Sequence, residues 1–194
     1  MEDMNPEQMQ KNGTAEYKEN VIWLVYWDHY AQDAWLYGST ISFLPDGAVL
    51  FENGEMPPGF SVREWFSLMD YQEKRMEPQL PLLEEKKAYH ILIRKMDEPE
   101  NGSFLRLNFY DRQGELLDFC LLRAEEGSFT YPEGAFSYSL QLVQGGAEMI
   151  RFRYLALMEE ETWEREQEAL HAETSGERAA LENAVRLRRR TLRL

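Results

Sequence analysis

The chain reads as a mainly β protein, an antiparallel β-sandwich followed by a C-terminal α-helical extension. Three observations predict this. Between Val21 and about Met158, nine short segments rich in β-branched and aromatic residues follow one another with no helical pattern between them. Turn residues separate the segments at fairly regular spacing. At Glu159 the texture changes to helix formers with few β-branched residues and no proline. Short strands in unbroken succession build a sandwich or barrel. Several of them also alternate cleanly between apolar and polar residues, which favours a sandwich with one wet side per sheet.

Taken in order, residues 1–20 are charged and amide-rich with almost no apolar periodicity, and are expected to be a flexible N-terminal tail. The sandwich domain is expected over 21–158. Its strands are predicted at Val21 to Trp27, Trp35 to Phe43, Ala48 to Glu52, Ser61 to Tyr71, Tyr89 to Met96, Phe104 to Tyr110, Leu116 to Leu122, Phe136 to Val143 and Glu148 to Leu157. Pro45-Asp46-Gly47, Asn53-Gly54, Pro57-Pro58-Gly59, Asn101-Gly102, Arg112-Gln113-Gly114, Glu126-Gly127 and Gly145-Gly146 supply the turns. In the sixth strand Phe104, Arg106, Asn108 and Tyr110 share one face, and Leu105, Leu107 and Phe109 the other. In the eighth, Phe136, Tyr138, Leu140 and Leu142 oppose Ser137, Ser139, Gln141 and Val143.

Residues 159–194 are expected to form a charged helical arm. Thr174 and Glu177 fit a capping box, so two helices meeting near Ser175 are expected, with Leu181, Val185, Arg188 and Leu192 on one face of the second. From Glu159 to Asn183 the arm carries nine glutamates against two arginines, whereas Ala184 to Leu194 carries five arginines and no acid. The basic end suits an acidic partner or RNA, or a solvated helix whose cations complement its own dipole.

Charge and composition narrow the function. The 194 residues carry 35 acidic and 21 basic side chains, a formal net charge of -14. Such a balance opposes sequence-independent nucleic-acid binding and docking on anionic lipid. No basic start followed by an apolar run marks a signal peptide, and no apolar stretch is long enough to insert in a bilayer, so a cytoplasmic location is expected. The single cysteine, Cys120, lies in an apolar strand with no His or Lys beside it, and is expected to be a core thiol. No metal site and no cofactor are expected: His29, His90 and His171 are dispersed, and no paired-Cys or His-Glu-x-x-His spacing, phosphate loop or Gly-x-Ser-x-Gly occurs. Glu52, Glu55, Glu64 and Asp70 supply carboxyls for a sandwich-fold glycosidase, which needs two of them across a cleft. Sugar binding without catalysis is the more economical alternative. Trp65, Tyr71 and Tyr131 are candidate stacking platforms, with Gln72 and Arg75 as hydrogen-bonding neighbours, unless these aromatics belong to the core.

The densest run of specific residues is Tyr37-Gly38-Ser39, Phe51-Glu52-Asn53, Met56-Pro57-Pro58-Gly59, Trp65-Phe66-Ser67 and Tyr71-Gln72-x-x-Arg75-x-x-Pro78-x-Leu80-Pro81-Leu82-Leu83. Phe109-Tyr110-Asp111-Arg112-Gln113-Gly114, Phe129-Thr130-Tyr131-Pro132-Glu133 and Tyr138-Ser139-Leu140-Gln141-Leu142 follow. This ordered series, over roughly Val21 to Leu157, resembles the third of the small accessory Sec system proteins of Gram-positive bacteria, whose "Asp" label is unrelated to aspartate.

The resemblance implies a jelly roll like that of carbohydrate-binding modules. It also implies a non-catalytic role, not an enzyme's, in exporting serine-rich repeat glycoprotein adhesins. The implied partners are sister accessory Sec proteins, an accessory SecA-type motor and the glycoprotein substrate, with no nucleic acid and no direct membrane insertion. The implied place is the cytoplasm, reaching the inner face of the membrane through partners. Trp65, Tyr71, Gln72, Arg75 and Tyr131 are the candidate partner- or glycan-binding residues. Gly54, Pro57 and Gly59 are assigned to a structural turn. Asp70 departs from the family pattern, which has Asn there. A free-standing carbohydrate-binding module is the alternative.

Overall fold

The structure is a computed structural model that describes residues 22–28, 34–68, 78–168 and 170–171. Its ten strands are β1 (Ile22–Val25), β2 (Thr40–Phe43), β3 (Val49–Glu52), β4 (Ser61–Phe66), β5 (Ala88–Glu98), β6 (Ser103–Tyr110), β7 (Leu116–Leu122), β8 (Glu126–Thr130), β9 (Ser137–Gln144) and β10 (Met149–Glu159). All pair antiparallel in two sheets. The first sheet runs β2-β3-β10-β5-β8, and β1 also pairs with β10. The second runs β4-β9-β6-β7.

The long strand β10 organises the first sheet. Met149 to Phe152 lie between β3 and β5, while Leu155 to Met158 lie between β1 and β5, with a bulge at Arg153 where the register shifts. The two inner faces then meet. Val49, Phe51, Ile91, Ile93, Ile150, Phe152 and Leu155 of one sheet pack against Val62, Trp65, Leu105, Leu107, Phe109, Leu140 and Leu142 of the other. The alternation expected in β6 and β9 is what places these residues inward.

The turns follow from side-chain chemistry. Asp46 Oδ1 accepts from the Ala48 N–H at 3.2 Å, and Gly47 takes φ +80° between β2 and β3. Between β6 and β7, Asp111 Oδ1 accepts from the Gln113 and Glu115 N–H groups at 2.9 and 3.0 Å. Gly102 packs so closely on the β9–β10 turn that a Cβ there would lie 2.6 Å from the Ala147 nitrogen.

Three expectations about strands need correction. Glu126-Gly127 is not a turn but the start of edge strand β8, paired with Leu92 and Ile91. Glycine suits it because a Cβ on Gly127 would meet Leu122 at 2.9 Å. The second strand is shorter than expected, since Tyr37-Gly38 forms a turn with Gly38 at φ +67° and pairing begins only at Thr40. The fourth ends at Phe66, and residues 69–77 lie outside the described set.

Beyond Glu159 a helix, α1, covers residues 160–168 and 170–171. It folds back on the outer face of the first sheet, where Trp163 joins Leu92, Ala156 and Met158 in a second apolar cluster with Ile22, Tyr154 and Leu170 at its margin. Polar ties frame it. Ser128 Oγ donates to Glu160 at 3.0 Å, His171 Nε2 lies 2.8 Å from Glu126, and the buried Arg94 donates to the Leu170 carbonyl at 3.0 Å. The expected second helix, with its capping box and basic end, lies outside the described residues, as does the N-terminal tail.

Candidate functional site

The side chains that point away from the core of the second sheet form ordered rows. Reading across β4, β9, β6 and β7, one row is Glu64, Gln141, Arg106 and Leu121, and the next is Phe66, Ser139, Asn108 and Phe119. Ser137, Tyr110 and Leu116 continue the face. Period-2 alternation puts all of them opposite the core residues Leu105, Leu107, Phe109, Leu140 and Leu142.

The centre of this face is polar and deep. Ser139, Asn108 and Gln141 retain only 0%, 6% and 8% of their surface, although they point outward. The taller Phe66, Arg106, Tyr110 and Phe119 flank them. Gln141 Oε1 accepts from Arg106 Nε at 2.7 Å and from its Nη2. Ser139 Oγ meets Asn108 Nδ2 and the Tyr110 hydroxyl, each at 3.3 Å. Each carboxamide thus spends one end on the protein and keeps the other, Gln141 Nε2 and Asn108 Oδ1, with no partner among the described residues. Around that floor stand Phe66, Phe104, Tyr110, Phe119 and Leu121, with Arg123 over the Phe104 ring at 5.1 Å. Such a face offers hydrogen bonds framed by apolar surface. It does not offer a nucleophile with a base.

Trp65 and Tyr131, singled out from the sequence, lie elsewhere. Trp65 is fully buried, its indole N–H donating to the Tyr26 carbonyl at 3.0 Å and its ring stacked 5.3 Å from Phe152. Tyr131 is 3% exposed and sits edge-on to Phe109 and Tyr138 at 5.6 and 5.7 Å, where burial raises its hydroxyl pKa. A ring sealed in the core cannot stack on a ligand, so both are corrected to core residues. Tyr71, Gln72 and Arg75 lie outside the described residues. Gly54, Pro57 and Gly59 form the connection from β3 to β4. There Asn53 Oδ1 accepts from the Glu55 N–H at 3.0 Å, and Gly59, at φ +92°, donates to the Gln144 carbonyl at 2.7 Å.

Two of the carboxyls offered for a glycosidase, Glu52 and Glu64, stand in different places among the described residues. Glu52 lines an open recess of about 410 Å³ with Asn53, Glu98 and Glu148, while Glu64 stands on the outer face of the second sheet and Asp70 is outside the described residues. No group of three or more His, Cys, Asp or Glu with metal-binding geometry occurs among the described residues. Ser128, His90 and Glu160 cluster without forming a hydrolytic triad. Hydroxyl and carboxylate both approach His90 Nδ1, at 3.0 and 3.5 Å, and Nε2 is buried without a partner. Cys120 packs against the core, and burial, with Asp118 nearby, raises its thiol pKa.

A family model for the accessory Sec secretory system Asp3 proteins matches residues 34–159, which hold β2 to β10 and so the whole face described above. The chain belongs to that family. It is 38% identical over 125 residues to the accessory Sec system protein Asp3 of Streptococcus gordonii, covering 64% of this chain and 79% of that protein. The Staphylococcus aureus protein of the same name is 26% identical over 141 residues, and here the match spans 73% of this chain but 44% of the relative.

Two solved structures share the fold at a TM-score of 0.67. One, of accessory secretory proteins 1, 2 and 3 from Streptococcus pneumoniae, is 33% identical and matches 71% of this chain and 95% of that one. The other, a glycosylation-associated protein (Gap123) complex from Streptococcus agalactiae, is 32% identical over 72% of this chain and 45% of that one. The family's place in protein secretion therefore applies to the chain. No helix among the described residues is long and apolar enough to cross a membrane.

Proposed function

We propose that this protein is a non-catalytic subunit of an accessory Sec secretion complex that assists export of serine-rich repeat glycoprotein adhesins. In this reading it binds its sister proteins on the cytoplasmic side of the membrane and works with the accessory SecA-type motor. The outer face of the second sheet meets the glycosylated preprotein. Family membership supports the first part, and two relatives were solved as assemblies with companion proteins.

The observation that carries the second part is the buried row Gln141, Asn108 and Ser139 under an aromatic rim. A sugar ring presents hydroxyls at its edge and C–H groups on its faces. Carboxamide ends without protein partners can exchange hydrogen bonds with the first, while Phe66, Tyr110 and Phe119 cover the second.

The test is binding of the full chain to a glycosylated serine-rich repeat segment and to the same segment without sugar. Asn108→Ala with Gln141→Ala is expected to weaken binding about tenfold or more, each removing roughly a kcal/mol of hydrogen bonding, while thermal unfolding confirms the fold. Unchanged affinity in a folded double variant would falsify the assignment of this face. A free-standing sugar-binding module predicts the same glycan result, so recovery of companions decides between the readings. Tagged protein from its native cells brings down the sister proteins in the subunit reading and comes alone in the other.

A further inference from the structure

Helix α1 covers one half of the outer face of the first sheet and heads for the other. Trp163 lies over His90, and the Leu170 carbonyl accepts from Arg94, so the helix travels along β5 in that strand's own direction. Next on its way comes an outward row of Met96, Arg151, Leu50 and Ser42, and after it a row of Glu98, Met149, Glu52 and Thr40. Glu52 and Glu98 of the second row line the open recess together with Glu148. The first row is already shielded. Leu50 keeps 5% of its surface, Arg94 7% and the Arg151 side chain 15%, although all three face outward and Leu50 belongs to neither apolar cluster. Both arginines have a buried Nε without a hydrogen-bond partner. Outward side chains of this size are rarely so little exposed without an element lying over them.

We infer that residues 172–194 of this chain are that element, continuing from α1 across the remaining half of the sheet. The order of charge along the segment carries the assignment. On a helix continuing α1, Glu173, Thr174 and Glu177 share a face with Leu170, which brings two carboxylates down towards Arg94 and Arg151. Further along, Ala184 to Leu194 holds five arginines and no acid, and the sheet ends in Glu52, Glu98 and Glu148. Acid thus meets base first and base meets acid second, in one direction along both surfaces. Between them Leu181 and Val185 supply apolar contacts for Leu50 and Met96. Reach is sufficient. From Arg94 to Glu98 is about 13 Å of strand, a distance that about nine helical residues cover, so the arginines attain the recess even with a bend at Ser175-Gly176. The basic end is thereby used within the molecule and is not offered to an acidic partner or RNA.

The test is hydrogen exchange of the full chain over 172–194, read by mass spectrometry, with the fold of each variant checked by thermal unfolding. Each chain is compared with a synthetic peptide of its own 172–194 sequence, which removes differences in helix propensity. Docking is expected to slow exchange about tenfold or more relative to the peptide, equally at about 1 and 50 μM protein. Glu52→Lys with Glu148→Lys should cost about fivefold of that protection, chiefly over 184–194. Glu173→Lys with Glu177→Lys should cost about as much from 172 onward, while the strand amides hold. Exchange of the natural chain at the peptide's rate overturns the proposal. So does protection that both folded variants leave untouched, the mark of a helix formed without the sheet. Protection that grows with concentration overturns it too, since a second copy's segment would then cover this face.

Discussion

A guanidinium without contact with water has to find its compensation inside the fold, and Arg63 finds it between two indoles. Its side chain is fully buried, its guanidinium carbon 5.9 Å from the ring centres of both Trp27 and Trp65, and Nη2 is 3.1 Å from Asp28 Oδ1. Asp28 is itself partly solvated, so removing Arg63 leaves a cavity more than a stranded charge. Arg63→Ala is expected to lose about 2–4 kcal/mol in urea unfolding, whereas Arg63→Met, which refills the space, recovers most of it. A loss below about 0.5 kcal/mol for the alanine variant would show that the core closes over the gap. None of this was legible in the sequence. β4 carries a bulge between Ser61 and Arg63, so simple alternation misassigns its faces, and the indole N–H of Trp65 is satisfied by Tyr26, 39 residues away. A tryptophan beside polar residues therefore looked like a binding platform. Tyr131 misled for the same reason, since its rings of contact come from β6 and β9.

At the level of elements, α1 is held by a stack that sequence periodicity could not display. Trp163 lies flat on His90 at 3.8 Å with planes 5° apart. Trp163→Ala is expected to cost about 3–5 kcal/mol and to loosen α1 first, read as hydrogen-exchange protection lost in the helix before the strands. The stack also carries a pH dependence. Burial is the main cause that lowers the His90 pKa, opposed by Glu160 and Glu126, which face it from α1 and β8, and reinforced by His171. A histidine held neutral by folding contributes stability that is complete above its unfolded value of about 6.5 and is lost as pH falls below it toward the folded value. The stability of the natural chain relative to His90→Phe should therefore fall between pH 7.5 and 5.5. A constant difference would mean that the ring takes up its proton in place. The strands themselves were largely legible, because β6 and β9 alternate without interruption. β8 was not, because Glu126-Gly127 has turn chemistry and pairs with Leu92 and Ile91, far back along the chain.

For the whole molecule, the polar outer face of the second sheet was written in two alternating strands, yet recognising it needed their pairing. Arg106 with Gln141 and Asn108 with Ser139 are neighbours only because β6 lies against β9 in that register. The same global view governs how salt should act. The chain carries a net charge of -14, and several of the described ion pairs are on the surface: Lys86 and Glu133, for example, both keep about two-thirds of their side-chain exposure. Exposed pairs contribute little and are weakened by screening, while the excess of like charge disfavours the compact state throughout. Screening both at once should relieve more repulsion than it removes attraction, because 14 unmatched negative charges remain after every cation is paired. Raising sodium chloride from about 20 to 500 mM, over which the Debye length falls from roughly 20 to 4 Å, is expected to move the urea midpoint upward with an unchanged slope. A midpoint that falls would show that the ties around α1, among them Lys87 with Glu159 and His171 with Glu126, outweigh the repulsion. Repeating the titration with Trp163→Ala then separates the two: if α1 is the salt-sensitive element, its loss abolishes the fall.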